Sequence, residues 1–124
     1  MSVRIKHITV GDGAPLVLIA GPCVVESREM VFTTAETVHK AAEKRRMPVV
    51  FKASYKKANR TSSGSFTGIG MDEALAMLAD VRKQFGMPVL TDIHLPDEAS
   101  ITAGVVDVLQ IPAFLCRQTE LLIA

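Results

Sequence analysis

This chain is poor in the residues that would mark several common functions. It has no tryptophan, one tyrosine and five phenylalanines in 124 residues, too few aromatics for the stacking platforms of single-strand nucleic-acid binders. Its formal net charge of +1 argues against a broadly basic nucleic-acid or membrane surface. The two cysteines, Cys23 and Cys116, are too few and too far apart for a disulfide framework. No apolar run approaches the roughly 20 residues of a membrane span. The opening MSVRIKHITVGDG alternates apolar and polar residues and lacks the apolar core of a secretory signal. Neither GxxxxGK[ST] nor a GxGxxG opening a helix is present, and the glycines of Gly64 to Gly70 match neither fingerprint. A cytoplasmic protein with one core is the expectation.

What is present is organised. Val3, Ile5, Ile8 and Val10 suggest a short ribbon turning at Gly11-Asp12-Gly13. Leu16 to Ala20 reads as a buried strand stopped by Gly21-Pro22. A helix is expected from Arg28 to Arg46, with Ser27 as N-cap, Glu29 in its positive first turn and Lys44-Arg45-Arg46 in its negative last turn. Val31, Ala35, Val38 and Ala42 give it an apolar face. A second strand spans Val49 to Ala53. After a long polar loop, Asp72 is the expected cap of a helix that ends at Gly86. A third strand covers Val89 to Ile93, Pro96 opens a short helix to Ala103, a fourth strand covers Val105 to Pro112, and another helix begins at Arg117. This βα alternation implies a parallel sheet with helical crossovers.

Charge is gathered at one place in that sheet. The segment Lys44 to Arg60 holds seven of the 14 basic residues and no acid, and much of it follows the second strand. Residues i and i+2 share a strand face, so Lys52 and Ser54 extend the face of Val50. Asp92 and His94 extend that of Leu90, Gln110 and Pro112 that of Val108, and Gly21 and Cys23 that of Ile19. Each strand starts apolar and ends polar or reactive, as catalytic strand ends do in parallel α/β folds. Singly, each residue has a plainer reading. A lysine after a strand is usually solvated, a histidine near an aspartate is often structural, and a lone cysteine is often a small buried residue. Gln110 resists this, because a buried amide needs partners. Four strands converging on one polar end favour a functional mouth, with Lys52, Lys57 and Arg60 as anion-binding cations and Asn59, Thr61, Ser62 and Ser63 as neutral donors.

Five segments carry a family resemblance: Gly21-Pro22-Cys23-Val24-Val25-Glu26-Ser27, Phe51-Lys52-Ala53-Ser54, Lys57-Ala58-Asn59-Arg60-Thr61-Ser62, Thr91-Asp92-Ile93-His94, and Gln110 through Thr119. In this order they resemble the 3-deoxy-D-manno-octulosonate 8-phosphate synthases. The related heptulosonate 7-phosphate synthases of aromatic biosynthesis share Gly-Pro-Cys but carry Lys-Pro-Arg-Thr in place of Lys-Ala-Asn-Arg-Thr-Ser. They are the alternative reading; an inert half-barrel acting as a phosphate-binding or interaction module is a third. The resemblance implies a (β/α)₈ TIM barrel that condenses phosphoenolpyruvate with arabinose 5-phosphate for lipopolysaccharide precursor synthesis. It also implies a homo-oligomer, tetrameric in the family.

By the same resemblance, Lys52, Lys57, Gln110 and Ala113 contact phosphoenolpyruvate, with Ser54 beside them. Asn59, Arg60 and Thr61 hold the pentose phosphate. Lys57, Asp92 and His94 are the catalytic candidates, and Phe114 and Arg117 lie near the pocket or a subunit contact. Cys23 marks the metal-dependent subclass, implying one ligand for zinc, ferrous iron or manganese, with the other ligands outside this chain. A barrel needs about 250 residues. The expectation is therefore a hairpin segment at 1–15 followed by the first half of a barrel, about four βα units, at 16–124, in a protein of greater length.

Overall fold

The computed structural model describes residues 1–57 and 68–124. It opens with an antiparallel hairpin of β1 (Ser2–Ile5) and β2 (Ile8–Gly11). Ile5 pairs with Ile8, so the chain reverses at Lys6-His7, with Lys6 left-handed at φ 52°. The turn expected at Gly11-Asp12-Gly13 instead follows the second strand. Glycine is needed at position 11 for a different reason. A Cβ there would stand 2.6 Å from the Met1 carbonyl oxygen, and the backbone holds φ at 99°, a region open mainly to glycine.

Among the described residues, four parallel strands form the main sheet in the order β3 (Leu18–Ala20), β4 (Val49–Lys52), β5 (Val89–Asp92) and β6 (Val108–Gln110). The helices α1 (Arg28–Arg45), α2 (Met71–Phe85) and α3 (Pro96–Ala103) make the crossovers. A 3-10 turn at Ala113–Leu115 and α4 (Thr119–Ile123) follow β6, where a single helix from Arg117 was expected. β3 is a shorter and more exposed strand than Leu16 to Ala20 suggested. Among the described residues it pairs with β4 alone, and Leu16 and Ile19 are 79% and 57% exposed. β6 is also shorter than expected. The amides of Val105 and Val106 bond back to the Thr102 carbonyl, and only from Asp107, whose N–H meets the Val89 carbonyl, does the segment join the sheet.

Helix ends follow their local chemistry. Ser27 Oγ accepts the Met30 amide at 3.2 Å, capping α1 as its sequence suggests. Gly86 closes α2 in the left-handed conformation, with its N–H on the Arg82 carbonyl. Asp72 is not the cap of α2. Gly70 holds that place, and Asp72 lies with Glu73 in the first turn, where carboxylates complement the helix dipole.

The two sheet faces have different covers. Phe51, Ala53 and Val89 join Val31, Ala35, Leu78 and Val81 of the helices in the main core. On the opposite face Val50 and Leu90 pack against Ile8 of the hairpin. Asp107, its side chain 3% exposed, ties these parts together: it accepts the Val89 amide at 2.9 Å and pairs with Arg82 at 3.4 Å and Lys6 at 3.3 Å. The hairpin therefore covers the lower part of this face. Among the described residues, the upper part, where β4 and β5 end in Lys52 and Asp92, stays open.

One close approach sets the spacing at that upper end. A Cβ on Gly21 would lie 1.8 Å from the Lys52 carbonyl oxygen and 2.8 Å from its carbon, both backbone atoms. We therefore expect Gly21→Ala to destabilise the fold by about 1–3 kcal/mol, as overpacking does, seen as a lower midpoint in denaturant unfolding. A midpoint equal to that of the parent would show that the two segments separate freely.

Candidate active site

Register places the first two charged groups. Lys52 pairs with Leu90 and Asp92 pairs with Gln110, so Lys52 and Asp92 share a face, offset by two residues along neighbouring strands. The Lys52 ammonium donates to Ser54 Oγ at 2.9 Å and stands 3.9 Å from Asp92 Oδ1. His94 Nε2 lies 3.0 Å from Asp92 Oδ2, a contact off the line of a hydrogen bond. Burial pushes the Asp92 carboxyl up, but His94, Ser54 and the Lys52 charge together outweigh it and hold it below the ordinary range. Asp92 Oδ1 is buried and has no hydrogen-bond donor among the described residues.

These groups border an open cleft of about 350 Å³. Lys56, Lys57 and Cys23 stand at its edge, and Gln110, Pro112, Ala113 and Phe114 line it from the β6 side. Three lysines around one ionised carboxylate make a site suited to a small polyanion. Of the residues expected here, Lys52, Ser54, Lys57, Asp92, Gln110, Ala113, Phe114 and Cys23 all reach this cleft, and His94 adjoins it through Asp92. Arg117 is exposed and does not line it. Asn59, Arg60 and Thr61 lie outside the described residues. Gln110 was expected as a buried amide; among the described residues its strand has no further neighbour in this sheet, and its side chain is exposed. Cys23 is exposed as well.

An exposed thiol at the cleft is one donor of a metal site, not a site. Among the described residues no three His, Cys, Asp or Glu side chains come together to hold an ion. His39, together with His7, borders a separate pocket near the start of β4. The described residues by themselves do not fit a divalent metal.

Behind the cleft is a pair of residues that sequence reasoning passed over. Tyr55 alternates to the face opposite Lys52 and Ser54, is 2% exposed and belongs to the main core. Its hydroxyl donates to Glu98 Oε2 at 2.5 Å and lies 3.2 Å from His94 Nδ1. The same Glu98 oxygen accepts the backbone amides of His94 at 2.7 Å and Leu95 at 2.9 Å. The signal was available: a glutamate two residues after a helix-opening proline commonly caps its own helix start, and a buried tyrosine hydroxyl needs a partner.

Glu98 titrates below the ordinary range. Burial raises it, but the Tyr55 hydroxyl, the His94 and Leu95 amides and the His94 charge together lower it. A lowered folded-state value adds stability that is present above the unfolded value, 4.5, and is lost as pH falls through the folded value. We expect Glu98→Gln to be less stable than the parent at pH 7, with the gap closing as pH falls below about 4.5. Denaturant midpoints across that range check this, and a gap that stays constant contradicts it.

The chain is 51% identical over 123 residues to the 2-dehydro-3-deoxyphosphooctonate aldolase of Brucella anthropi, covering 99% of this chain and 44% of that protein. It is 52% identical over 118 residues to the protein of that name from Synechococcus, covering 95% of this chain and 42% of the relative. With that of Bartonella bacilliformis it shares 48% identity over 124 residues, all of this chain and 44% of the other. The chain thus spans less than half the length of these curated relatives, matching their N-terminal part. A family model described as the DAHP synthetase I family matches residues 1–124, and the chain belongs to that family.

Proposed function

We propose that this chain forms one wall of the active site of a 3-deoxy-D-manno-octulosonate 8-phosphate synthase. In that reading it is the first half of a (β/α)₈ barrel, and the protein joins phosphoenolpyruvate to arabinose 5-phosphate. The observation that carries the reading is the cleft itself. Lys52, Lys56 and Lys57 stand around an ionised Asp92 at the C-terminal ends of parallel strands, where such folds bind their substrates. Relatives of about 50% identity over nearly all of the chain bear the name of that enzyme. The same names, and Lys-Ala-Asn-Arg-Thr-Ser at positions 57–62, disfavour the heptulosonate alternative. An inert module would not need a buried carboxylate oxygen left without a donor among the described residues.

The division of labour follows from charge. Lys52 and Lys57 neutralise the phosphate and carboxylate of phosphoenolpyruvate, with Ser54, Gln110 and Ala113 beside them and Phe114 screening the mouth. Asn59, Arg60 and Thr61 hold the pentose phosphate, and Arg117 stands further out. Two anions brought side by side repel, so this neutralisation is what lets the enol carbon approach the aldehyde. That carbon forms the new bond, the aldehyde oxygen takes a proton, and water supplies the oxygen at C2 as inorganic phosphate leaves. Asp92 and His94 handle protons at this centre. Cys23 would supply one ligand to a divalent metal, zinc, iron or manganese, with the remaining ligands coming from outside the described residues. No described helix is long and apolar enough to cross a membrane. A cytoplasmic homo-oligomer serving lipopolysaccharide precursor synthesis completes the proposal.

Phosphate release by the intact protein, measured with each pentose or tetrose phosphate in turn, tests the reading. We expect turnover with arabinose 5-phosphate and not with erythrose 4-phosphate. Loss of one charge-assisted contact of about 1.5–3 kcal/mol in Arg60→Ala should raise KM for the pentose phosphate roughly 10- to 100-fold, leaving that for phosphoenolpyruvate little changed. Turnover with the tetrose phosphate alone, or equal effects on both KM values, would contradict the assignment.

A further inference from the structure

The His94 ring meets a different partner at each nitrogen. Nε2 faces Asp92 Oδ2 at 3.0 Å, and Nδ1 faces the Tyr55 hydroxyl at 3.2 Å. Tyr55 packs edge-on to the imidazole, with ring centroids 5.5 Å apart at 77°, and the His94 side chain is 6% exposed. In a neutral imidazole only one nitrogen carries a proton, and the hydrogen bond at the other fixes which.

The Tyr55 hydroxyl stands between Glu98 and His94 Nδ1. Glu98 Oε2 already accepts the His94 and Leu95 amides at 2.7 and 2.9 Å. An oxygen receiving two backbone donors is a poor place for a carboxyl proton, so the hydrogen in the 2.5 Å contact belongs to the tyrosine. The Tyr55 hydroxyl has one proton, and Glu98 takes it. Towards His94 it can only accept, so Nδ1 must be the donor. Among the described residues, Asp92, Lys52, Glu98 and Tyr55 are the titratable groups around this ring, on β5, β4, α3 and the segment after β4.

We propose that Tyr55 and Glu98 are positioning residues that keep a proton on Nδ1 of His94 in both the charged and the neutral ring, so that the proton the ring gains or loses is the one on Nε2, facing Asp92. Neither residue lines the Lys52 cleft, so neither acts on substrate from there. Their part in turnover rests on the synthase reading; the tautomer itself does not.

The test uses intact protein labelled with ¹⁵N-histidine, with the His94 signals identified by their loss in His94→Gln. In the neutral-ring form we expect a protonated Nδ1 and a bare Nε2 in the parent protein. Tyr55→Phe keeps the ring packing and removes only the acceptor. It should move His94 towards the Nε2-protonated form and lower kcat about 10-fold, within the contribution of a well-placed acid–base group, with both KM values unchanged within about twofold. A parent protein with Nε2 protonated and Nδ1 bare overturns the proposal without any variant. So does a Tyr55→Phe enzyme that loses activity while its His94 tautomer stays as in the parent, since that effect is packing alone. If the tautomer moves as expected in a protein that lacks synthase activity, the positioning role stands and the synthase reading falls.

Discussion

The register of the parallel sheet is the constraint on which the rest depends. Because Lys52 is paired with Leu90 and Asp92 with Gln110, a lysine and an aspartate on adjacent strands meet on one face with a serine between them. A shift of one residue would send Lys52 into the helical core and Phe51 into the cleft, since side chains alternate across a strand. The register is in turn held by burial: Val50 and Leu90 fit beneath the hairpin on one face, while Phe51 and Val89 fit against α1 and α2 on the other. Gly21 keeps β3's exit against the Lys52 backbone. The cleft is a consequence of these packing demands.

Electrostatics then give the cleft its character. Asp92 is surrounded closely enough to stay ionised despite burial, and it retains an oxygen with no donor among the described residues. Lys52 is satisfied by Ser54 at 2.9 Å and stands 3.9 Å from the carboxylate, so the ammonium remains available to an incoming anion. The opposite end of the sheet shows the contrast. There Asp107 is fully engaged by the Val89 amide, Arg82 and Lys6. One aspartate is spent on holding the fold together, and the other is left with capacity for a ligand.

Much of this was legible in the sequence. Apolar starts and polar ends on successive strands gave the sheet and the cleft residues. Ser27, Gly86 and Pro96 marked helix ends through well-defined local chemistry. The misses share a cause, which is that they depend on what lies beside a residue in space. Gly11 looked like a turn but accommodates Met1. Gln110 looked buried but lies on a strand that, among the described residues, has a neighbour on one side only. Tyr55 looked like loop because its partners, His94 and Glu98, are 39 and 43 residues away.

The central claim is that the Lys52 wall of this cleft binds the carboxylate and phosphate of phosphoenolpyruvate. Calorimetric titration of phosphoenolpyruvate into the intact protein and into Lys52→Met tests it most directly, because methionine keeps the length of the stem and removes only the charge. Loss of a charge-assisted contact of about 1.5–3 kcal/mol predicts a Kd raised roughly 10- to 100-fold. An unchanged Kd in a folded Lys52→Met protein would contradict the account.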